Sequence, residues 1–158
     1  MQIEGEVKFN PNTNQGRTNM STEENKAIVR KYREAHNQNN LAALDSIVAQ
    51  DVISHAALPG LPPGLQGGKV AHQIFLGSFS DLQTTTEALI AEGDMVVERY
   101  TTSGTHTGDF MGASPTGKKF AAETMVIYRL ANGKIVETWG LNDVQAVMTQ
   151  LGLMPNPA

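Results

Sequence analysis

The sequence contains no cysteine, and this absence excludes several kinds of chemistry. Without thiols the chain has no disulfides, no thiol nucleophile and no thiolate ligand for a metal. Long apolar runs are also missing, since no stretch approaches the roughly 20 residues with which a helix crosses a bilayer. The N-terminal residues lack the apolar core of a secretory signal, so we expect a cytoplasmic protein without a membrane partner.

Clusters of positive charge are absent as well. The 158 residues include 12 Lys and Arg against 16 Asp and Glu, which gives a net charge of −4. Nucleic acids and anionic membrane surfaces are bound through basic patches. We therefore expect no nucleic-acid partner.

The common nucleotide and nucleophile motifs are missing too. The chain has no GxGxxG, no P-loop and no GxSxG elbow. His55, His106 and Asp143 lack the close spacing of a local metal motif. A zinc or iron site formed by these three after folding stays open as an alternative, but the pattern favours a site with neither metal nor organic cofactor.

The length fits one domain that is large enough to bury a core or an internal cavity. Residues 10–19 (NPNTNQGRTN) are polar and rich in Asn, Gly and Pro, a composition typical of flexible segments. We predict that residues 1–20 are a flexible extension or tag. Residues 21–158 are predicted to form the single folded domain.

Helical and then alternating patterns follow one another along this domain. A capping box at Ser21 and Glu24 predicts the start of the first helix. A short helix follows from about Leu41, a brief strand over 51–57, and a third helix over about 69–79. Four alternating segments predict long strands over residues 82–91, 95–107, 120–130 and 134–141. Gly104 favours a bulge in the second of these long strands.

Helices followed by a strand meander indicate an α+β fold in which the helices cover one face of an antiparallel sheet. A strongly twisted sheet of this kind curls, and its open end is a natural ligand cavity. The pattern therefore predicts a single layer of helices over a curved sheet.

Asp143 stands where the last strand changes into a terminal helix. In a regular strand, Trp139, Leu141 and Asp143 point to the same face. Two interpretations stay open. Asp143 caps the terminal helix, or it is a pocket acid whose pKa is raised by apolar surroundings toward general-base strength.

The four histidines divide into two pairs. His36 lies at the end of the first predicted helix, where a surface position is expected because a cation there favours the helix dipole, and His72 lies in the third, where a surface or boundary position is expected. His55 and His106 lie in extended segments beside turn-rich loops. Tyr100 and His106 share a strand phase if no bulge intervenes, so they could line one wall. The alternative is that they are boundary residues bonded to the backbone.

Two groups of motifs resemble a known family. GTHTGDFMG with PTGKK (104–119), and NGKIVE followed by Trp139, Asp143 and QLG (132–152), are similar to the SnoaL-like polyketide cyclases. These belong to the nuclear-transport-factor-2-like superfamily, and the resemblance covers about residues 22–152. It implies a cone-shaped α+β barrel with a deep pocket between the sheet and the helices. It also implies a homodimer built on the sheet.

The resemblance further implies the chemistry. Characterised members close a ring in a polyketide ester by an intramolecular aldol reaction without a metal or organic cofactor. Asp143 matches their general acid/base, His106 matches the histidine of the GTHxG element, and His55 is supported as a pocket residue. The chain differs from some cyclases on the penultimate strand, where it has apolar Val126 or its neighbours instead of a histidine.

We therefore predict a cofactor-free enzyme that acts on a small hydrophobic carbonyl compound. Asp143, His106 and His55 are its predicted catalytic residues, and the predicted pocket walls are Trp139, Tyr100, Phe110 and Met125. One alternative is a binding protein that holds a small apolar ligand and catalyses nothing. Another is an epoxide hydrolase or isomerase, which would need further carboxylates or an arginine aimed inward, and Arg99 and Glu123 are the candidates for these groups.

Overall fold

A computed structural model describes residues 20–154 of the chain. Residues 1–20 were predicted to be an extension or tag, and all of them except Met20 lie outside the described residues. Residues 155–158 lie outside them too. Within the described residues, no helix is long and apolar enough to cross a membrane.

The described residues form helices first and then a series of long strands, as the sequence predicts. In chain order these elements are α1 (Thr22–Asn37), α2 (Leu44–Ile47), β1 (Val48–Ser54), α3 (Gly64–Ser78), β2 (Phe79–Glu92), β3 (Met95–His106), β4 (Lys119–Ala131), β5 (Lys134–Asn142) and α4 (Val144–Gln150). The predicted α+β fold is confirmed.

The first helix begins at the predicted capping box. The Ser21 hydroxyl accepts a hydrogen bond from the Glu24 backbone N–H at 3.2 Å, and the Glu24 carboxylate accepts one from the Ser21 N–H at 2.7 Å. These two bonds satisfy backbone donors that the first helical turn leaves free. The position of α1 along the chain is therefore set by local sequence.

The five strands form one sheet in the order β1-β5-β4-β3-β2. β2, β3, β4 and β5 pair antiparallel as consecutive neighbours, which confirms the predicted meander. β1 joins the far edge of this meander and runs parallel to β5, with Ser54 opposite Thr138. Because this pairing joins distant parts of the chain, no local pattern predicts it.

The prediction of a bulge in β3 at Gly104 is wrong. The register of β3 with β4 runs without a break through Gly104 and Phe120. The extra residue lies in β2 instead, between Ser80 and Gln83, where Asp81 has a φ of 55°. A Cβ at Gly104 would come within 3.2 Å of the Phe79 Cβ, so the glycine allows close side-chain packing instead of a backbone bulge.

The two faces of the sheet have different surroundings. We call the face covered by the helices the inner face. Even-numbered residues of β3 and β4 lie on it, and Val96, Tyr128 and Leu130 pack there with Val29 of α1. A second buried cluster at the other end of the inner face contains Phe79, Phe110, Phe120, Ala122 and Leu151. Odd-numbered residues of β3 and β4 lie on the opposite, outer face.

Candidate functional site

The residues predicted for the site lie on both faces of the sheet. Tyr100 and His106 share the inner face of β3, as their common phase predicted, and Phe110 packs beside His106. The other predicted residues lie on the outer face or at its margin, and these are His55, Met125, Trp139 and Asp143. The structure therefore does not bring the three predicted catalytic residues together.

Asp143 is an exposed helix cap. Its Oδ1 accepts a hydrogen bond from the Ala146 backbone N–H at 2.8 Å at the start of α4. Its side chain borders an open depression of about 350 Å³, together with Met125, Leu141 and the Arg99–Glu123 pair. Of the two interpretations left open by the sequence, the helix cap describes this geometry. The catalytic role of Asp143 stays a prediction.

His55 belongs to a separate polar group on the outer face. Its Nε2 lies 2.8 Å from the Glu137 carboxylate, and its ring stacks on Trp139 with the centroids 4.9 Å apart. Glu137 also accepts a hydrogen bond from Arg129 at 2.8 Å. The hydrogen bonds from His55 and Arg129 hold the pKa of Glu137 below its ordinary value.

His106 is fully buried, with 0% of its surface exposed. Its Nδ1 accepts a hydrogen bond from the Thr116 backbone N–H at 3.2 Å, so the ring proton of the neutral form is on Nε2. Nε2 has no polar partner among the described residues, and the nearest rings are those of Phe79 and Phe110. In this geometry His106 anchors the loop before β4.

Arg99 and Glu123 point outward and not inward. They form an exposed ion pair on the outer face, with Nη1 2.6 Å from Oε1. They are therefore not the inward-facing groups for which the epoxide hydrolase or isomerase alternative named them as candidates. The arginine and the carboxylate that do face the interior are Arg33 and Glu98.

Arg33 and Glu98 belong to a group of polar side chains between α1, α3 and the inner face. We call this group the inner polar cluster, and its members are Tyr32, Arg33, His36, His72, Thr86, Glu98, Tyr100 and Tyr128. Three come from α1 and one from α3, while the strands supply the others.

The centre of the inner polar cluster is a buried ion pair. Glu98 is 0% exposed, and its two oxygens accept from the Arg33 Nε at 3.1 Å and Nη2 at 2.8 Å. The Thr86 and Tyr128 hydroxyls also donate to this carboxylate, at 2.6 Å and 2.8 Å. Burial raises the pKa of Glu98, but the Arg33 guanidinium and these hydroxyls outweigh it and hold that pKa below its ordinary value. Glu98 is thus an ionised, fully bonded partner of Arg33.

Two tyrosines of the cluster keep their hydroxyl protons over the whole physiological range. Burial raises the pKa of Tyr32 to about 12, and it also raises the pKa of Tyr100. The Arg33 guanidinium lies 4.0 Å from the centroid of the Tyr100 ring, a stacking that fixes both groups. Tyr100 and Arg33 are therefore neighbouring residues that both carry hydrogen-bond donors.

His36 and His72 meet at the edge of the cluster, with ring centroids 4.6 Å apart and planes at 85°. Burial lowers the pKa of His36 to about 4 and lowers the pKa of His72 as well. Both rings are consequently neutral at neutral pH. The surface position expected for His36 is wrong, because its ring packs against Tyr32 at 4.3 Å.

The cluster combines neutral polar groups with one internally balanced ion pair. Neutral tyrosines and Arg33 supply donors, and an unprotonated histidine supplies an acceptor. The described residues contain no group of three or more His, Asp or Glu placed to hold a metal ion. This arrangement suits a neutral ligand with a polar oxygen, since a carboxylate or phosphate would meet no uncompensated positive charge.

The sequence contained signals for this cluster that went unused. Glu98 has the same strand phase as Tyr100 and His106, so the predicted phase already placed a carboxylate on the inner face. A buried carboxylate needs a cationic partner. His36 lies one helical turn after Tyr32 and therefore shares its face of the first helix.

Comparison with solved structures finds the same fold in several bacterial proteins, including three from Streptomyces species. IdmH from Streptomyces antibioticus, provisionally described as a polyketide cyclase, is 30% identical with a TM-score of 0.72, over 81% of this chain and 98% of IdmH. AclR from Streptomyces galilaeus, provisionally described as a hydroxylase, is 28% identical with a TM-score of 0.74, over 85% of this chain and 100% of AclR. TsrD from Streptomyces laurentii has a TM-score of 0.79 at 23% identity, over 85% of this chain and 99% of TsrD, and shows the fold alone.

Comparison with curated proteins gives no match. The family model for the SnoaL-like polyketide cyclases matches residues 26–151, which include nearly all of the described elements. The resemblance seen in the sequence motifs is thereby confirmed. The chain belongs to the SnoaL-like polyketide cyclase family.

Proposed function

We propose that the protein binds a neutral, largely apolar carbonyl compound on the inner face of its sheet and acts on it in a cyclase-type or isomerase-type reaction. The family is consistent with such an activity. The observation that carries the proposal is the donor pair of Arg33 and Tyr100, held in place by stacking at 4.0 Å. No cofactor is part of this proposal.

The donor pair suits the oxygen of a carbonyl group. Donors that are fixed before the reaction stabilise the negative charge that develops on this oxygen when a neighbouring carbon loses a proton. Arg33 is already oriented by Glu98, and the raised pKa of Tyr100 keeps its hydroxyl proton available. We propose these two residues for enolate stabilisation, in place of the predicted catalytic histidines His106 and His55.

Hydrogen–deuterium exchange of a simple ketone tests the proposal without knowledge of the natural substrate. The probe is 2-tetralone, a neutral bicyclic ketone, and NMR follows the loss of its α-protons in D₂O. We expect the protein to bind 2-tetralone more tightly than the carboxylate 2-naphthoate and to accelerate the exchange. Tyr100→Phe should reduce the acceleration by about 10²-fold, the usual effect of removing one oxyanion donor.

Arg99→Gln is the matched control for this experiment. Arg99 directly precedes Tyr100 in β3 but points to the outer face, so its replacement leaves the donor pair intact. Tighter binding of 2-naphthoate than of 2-tetralone would contradict a site for neutral carbonyl compounds. An equal loss of exchange in both variants would contradict the assignment to the inner face.

The second candidate function is binding without catalysis, and one observation favours it. Asp143, the base predicted from the family, is an exposed helix cap in this structure. A binding protein would hold 2-tetralone with the same affinity in wild type and Asp143→Asn while neither accelerates exchange. Acceleration by the wild-type protein above a buffer control would exclude this candidate.

We also propose that the outer face is covered by a second copy of the chain. Ile90, Met125, Ile127 and Leu141 are exposed there, and Leu141 is 81% exposed. A contiguous apolar surface of this kind marks an interface. The homodimer that the family resemblance implies would bury this apolar surface.

A further inference from the structure

We infer that His36 takes the proton in the reaction proposed above, in place of Asp143. This inference depends on the proposed function, because it assigns a base to the same site. It comes from the contacts of the His36 ring and from its position beside Arg33 on α1.

The hydrogen bond of His36 to the backbone identifies its tautomer. Nδ1 lies 3.0 Å from the Tyr32 carbonyl oxygen, which can only accept a hydrogen bond. Nδ1 therefore carries the ring proton, and Nε2 presents a lone pair. No described residue donates a hydrogen bond to Nε2. The structure thus contains an oriented acceptor that is free for a ligand.

The orientation of the ring is fixed by aromatic contacts on two sides. The Tyr32 ring lies 4.3 Å away and is tilted, while the His72 ring meets His36 at 85°. His72 comes from α3, so the two helices hold the imidazole between them. We assign His72 as a positioning residue that acts through His36.

Several charged and titratable groups face His36 and determine its protonation. They are Tyr32 and Arg33 from α1, His72 from α3 and Glu98 from β3. Tyr100 of β3 and Tyr128 of β4 contact Arg33. Burial, His72 and Arg33 oppose protonation, and they outweigh the Tyr32 carbonyl and Glu98, which favour it. The outcome is a neutral imidazole at neutral pH, which is the form that can accept a proton.

The base and the oxygen-binding donor lie next to each other. Arg33 and His36 are three residues apart in a helix, a spacing that leaves roughly 5–6 Å between Cβ atoms on one face. We infer from this proximity that a ketone whose oxygen meets Arg33 and Tyr100 presents its neighbouring carbon to Nε2.

The proton transfer balances without a further reactant. Nε2 forms a bond to the proton on the carbon next to the carbonyl group, and the C–H electron pair becomes a C=C bond. The carbonyl π pair moves onto oxygen, beside Arg33 and Tyr100. In the deuterium-exchange reaction the imidazolium loses its proton to solvent, takes a deuteron from D₂O and delivers it to the same carbon. In ring closure the enolate carbon attacks a second carbonyl of the same molecule, whose oxygen then takes the proton.

The base strength of His36 is sufficient for this step. An aspartate with a pKa of about 4.6 is known to remove a proton next to a carbonyl group in an enzyme. His36, with a pKa of about 4, has similar strength. A positioned base contributes about 10²–10⁴-fold to the rate of such a transfer.

The decisive experiment compares His36→Gln with Asp143→Asn in the 2-tetralone exchange assay. We expect His36→Gln to lower the rate at least 10²-fold while 2-tetralone still binds, and Asp143→Asn to keep the wild-type rate. His72→Phe, which preserves an aromatic contact but cannot donate or accept, should retain binding and lower the rate by less than His36→Gln. The wild-type rate should stay level from neutral pH down to about pH 5 and fall as His36 becomes protonated.

Other results overturn the assignment. Loss of exchange in Asp143→Asn with full exchange in His36→Gln would make Asp143 the base and leave the proposed function intact. If the wild-type protein binds 2-tetralone but does not accelerate its hydrogen–deuterium exchange, His36 does not act as a base, and a binding protein is favoured. Failure of 2-tetralone and related neutral ketones to bind would instead refute the proposed function itself.

A spectroscopic measurement covers the case in which His36→Gln does not fold. The ¹⁵N shifts of the wild-type His36 ring should show an unprotonated Nε2 and a protonated Nδ1 at neutral pH. Addition of 2-tetralone should change the Nε2 shift. A proton on Nε2, or a shift that does not respond to bound 2-tetralone, would overturn the inference.

Discussion

The buried ion pair between Arg33 and Glu98 allows a quantitative test of the inner polar cluster. Arg33→Met removes the cation and leaves a carboxylate that is 0% exposed. The Thr86 and Tyr128 hydroxyls still donate to it, but no positive charge remains beside it. Removing one partner of a buried ion pair costs about 3–5 kcal/mol of unfolding free energy. We expect a loss in this range for Arg33→Met at pH 8.

The loss should depend on pH in a defined direction. In the wild-type protein Arg33 offsets the burial that raises the pKa of Glu98. Without Arg33, burial dominates, and the pKa of Glu98 in the folded state rises above its value in the unfolded chain. A group with a raised pKa in the folded state destabilises the protein as pH rises through that pKa. The cost of Arg33→Met should therefore be smaller at pH 5 than at pH 8.

Urea unfolding followed by circular dichroism at both pH values measures this cost. Arg99→Met is the matched control, because it breaks the exposed Arg99–Glu123 pair on the other face, where an ion pair contributes about 0–1 kcal/mol. Adding Glu98→Gln to Arg33→Met should recover part of the loss, since it removes the unpaired charge. A cost no greater than that of Arg99→Met, or one that is equal at both pH values, would refute the reasoning.

Three further predictions concern stability and assembly. Because the pKa of His36 is lowered from 6.5 to about 4, the wild-type unfolding free energy should fall as pH drops below the unfolded value. The fall between about pH 7.5 and pH 5 should exceed that of His36→Gln by about 2 kcal/mol in urea titrations. Gly67→Ala should lower the melting temperature because its Cβ would overlap the Pro62 carbonyl oxygen, whereas Gly68→Ala, with open space around it in the same helix, should stabilise by up to about 1 kcal/mol. Equal changes in melting temperature for Gly67→Ala and Gly68→Ala would contradict the packing of α3. Leu141→Glu should shift the proposed homodimer toward monomer in sedimentation velocity, and a wild-type protein that is monomeric at high concentration would contradict the interface.

Local signals in the sequence were sufficient for most of the fold. The capping box at Ser21 and the strand phase that joins Tyr100 to His106 depend only on neighbouring residues, and both are confirmed. The pairing of β1 with β5 is not local, and the sequence did not predict its direction. The expected bulge at Gly104 was wrong because a glycine in a strand marks either a bulge or a close approach of side chains.

The inner polar cluster was harder to predict because its contacts cross between elements. Arg33 and Glu98 are 65 residues apart in the chain, and the Arg33–Tyr128 contact spans 95 residues. Phase alone places Glu98 on the same face as Tyr100, but it does not identify the helix residue that neutralises it. His36 was assigned to the surface because a histidine near a helix C-terminus is usually solvated.

The position of Asp143 shows why the sequence could not assign the candidate acid to a face of the sheet. The phase argument was correct, since Trp139 and Leu141 share one face of β5 and Asp143 follows in that phase. The phase of a strand does not identify which face of the sheet the helices cover, and in this protein both faces of the sheet carry apolar side chains. The outer face carries Trp139 and an 81% exposed Leu141, so it looks like a pocket wall in the sequence. The helix-covered phase of β5 contains Gly140 instead, opposite Val126, and thus provides no acid. If a carbonyl compound reacts on the inner face, its base must come from another element, and α1 provides His36 there.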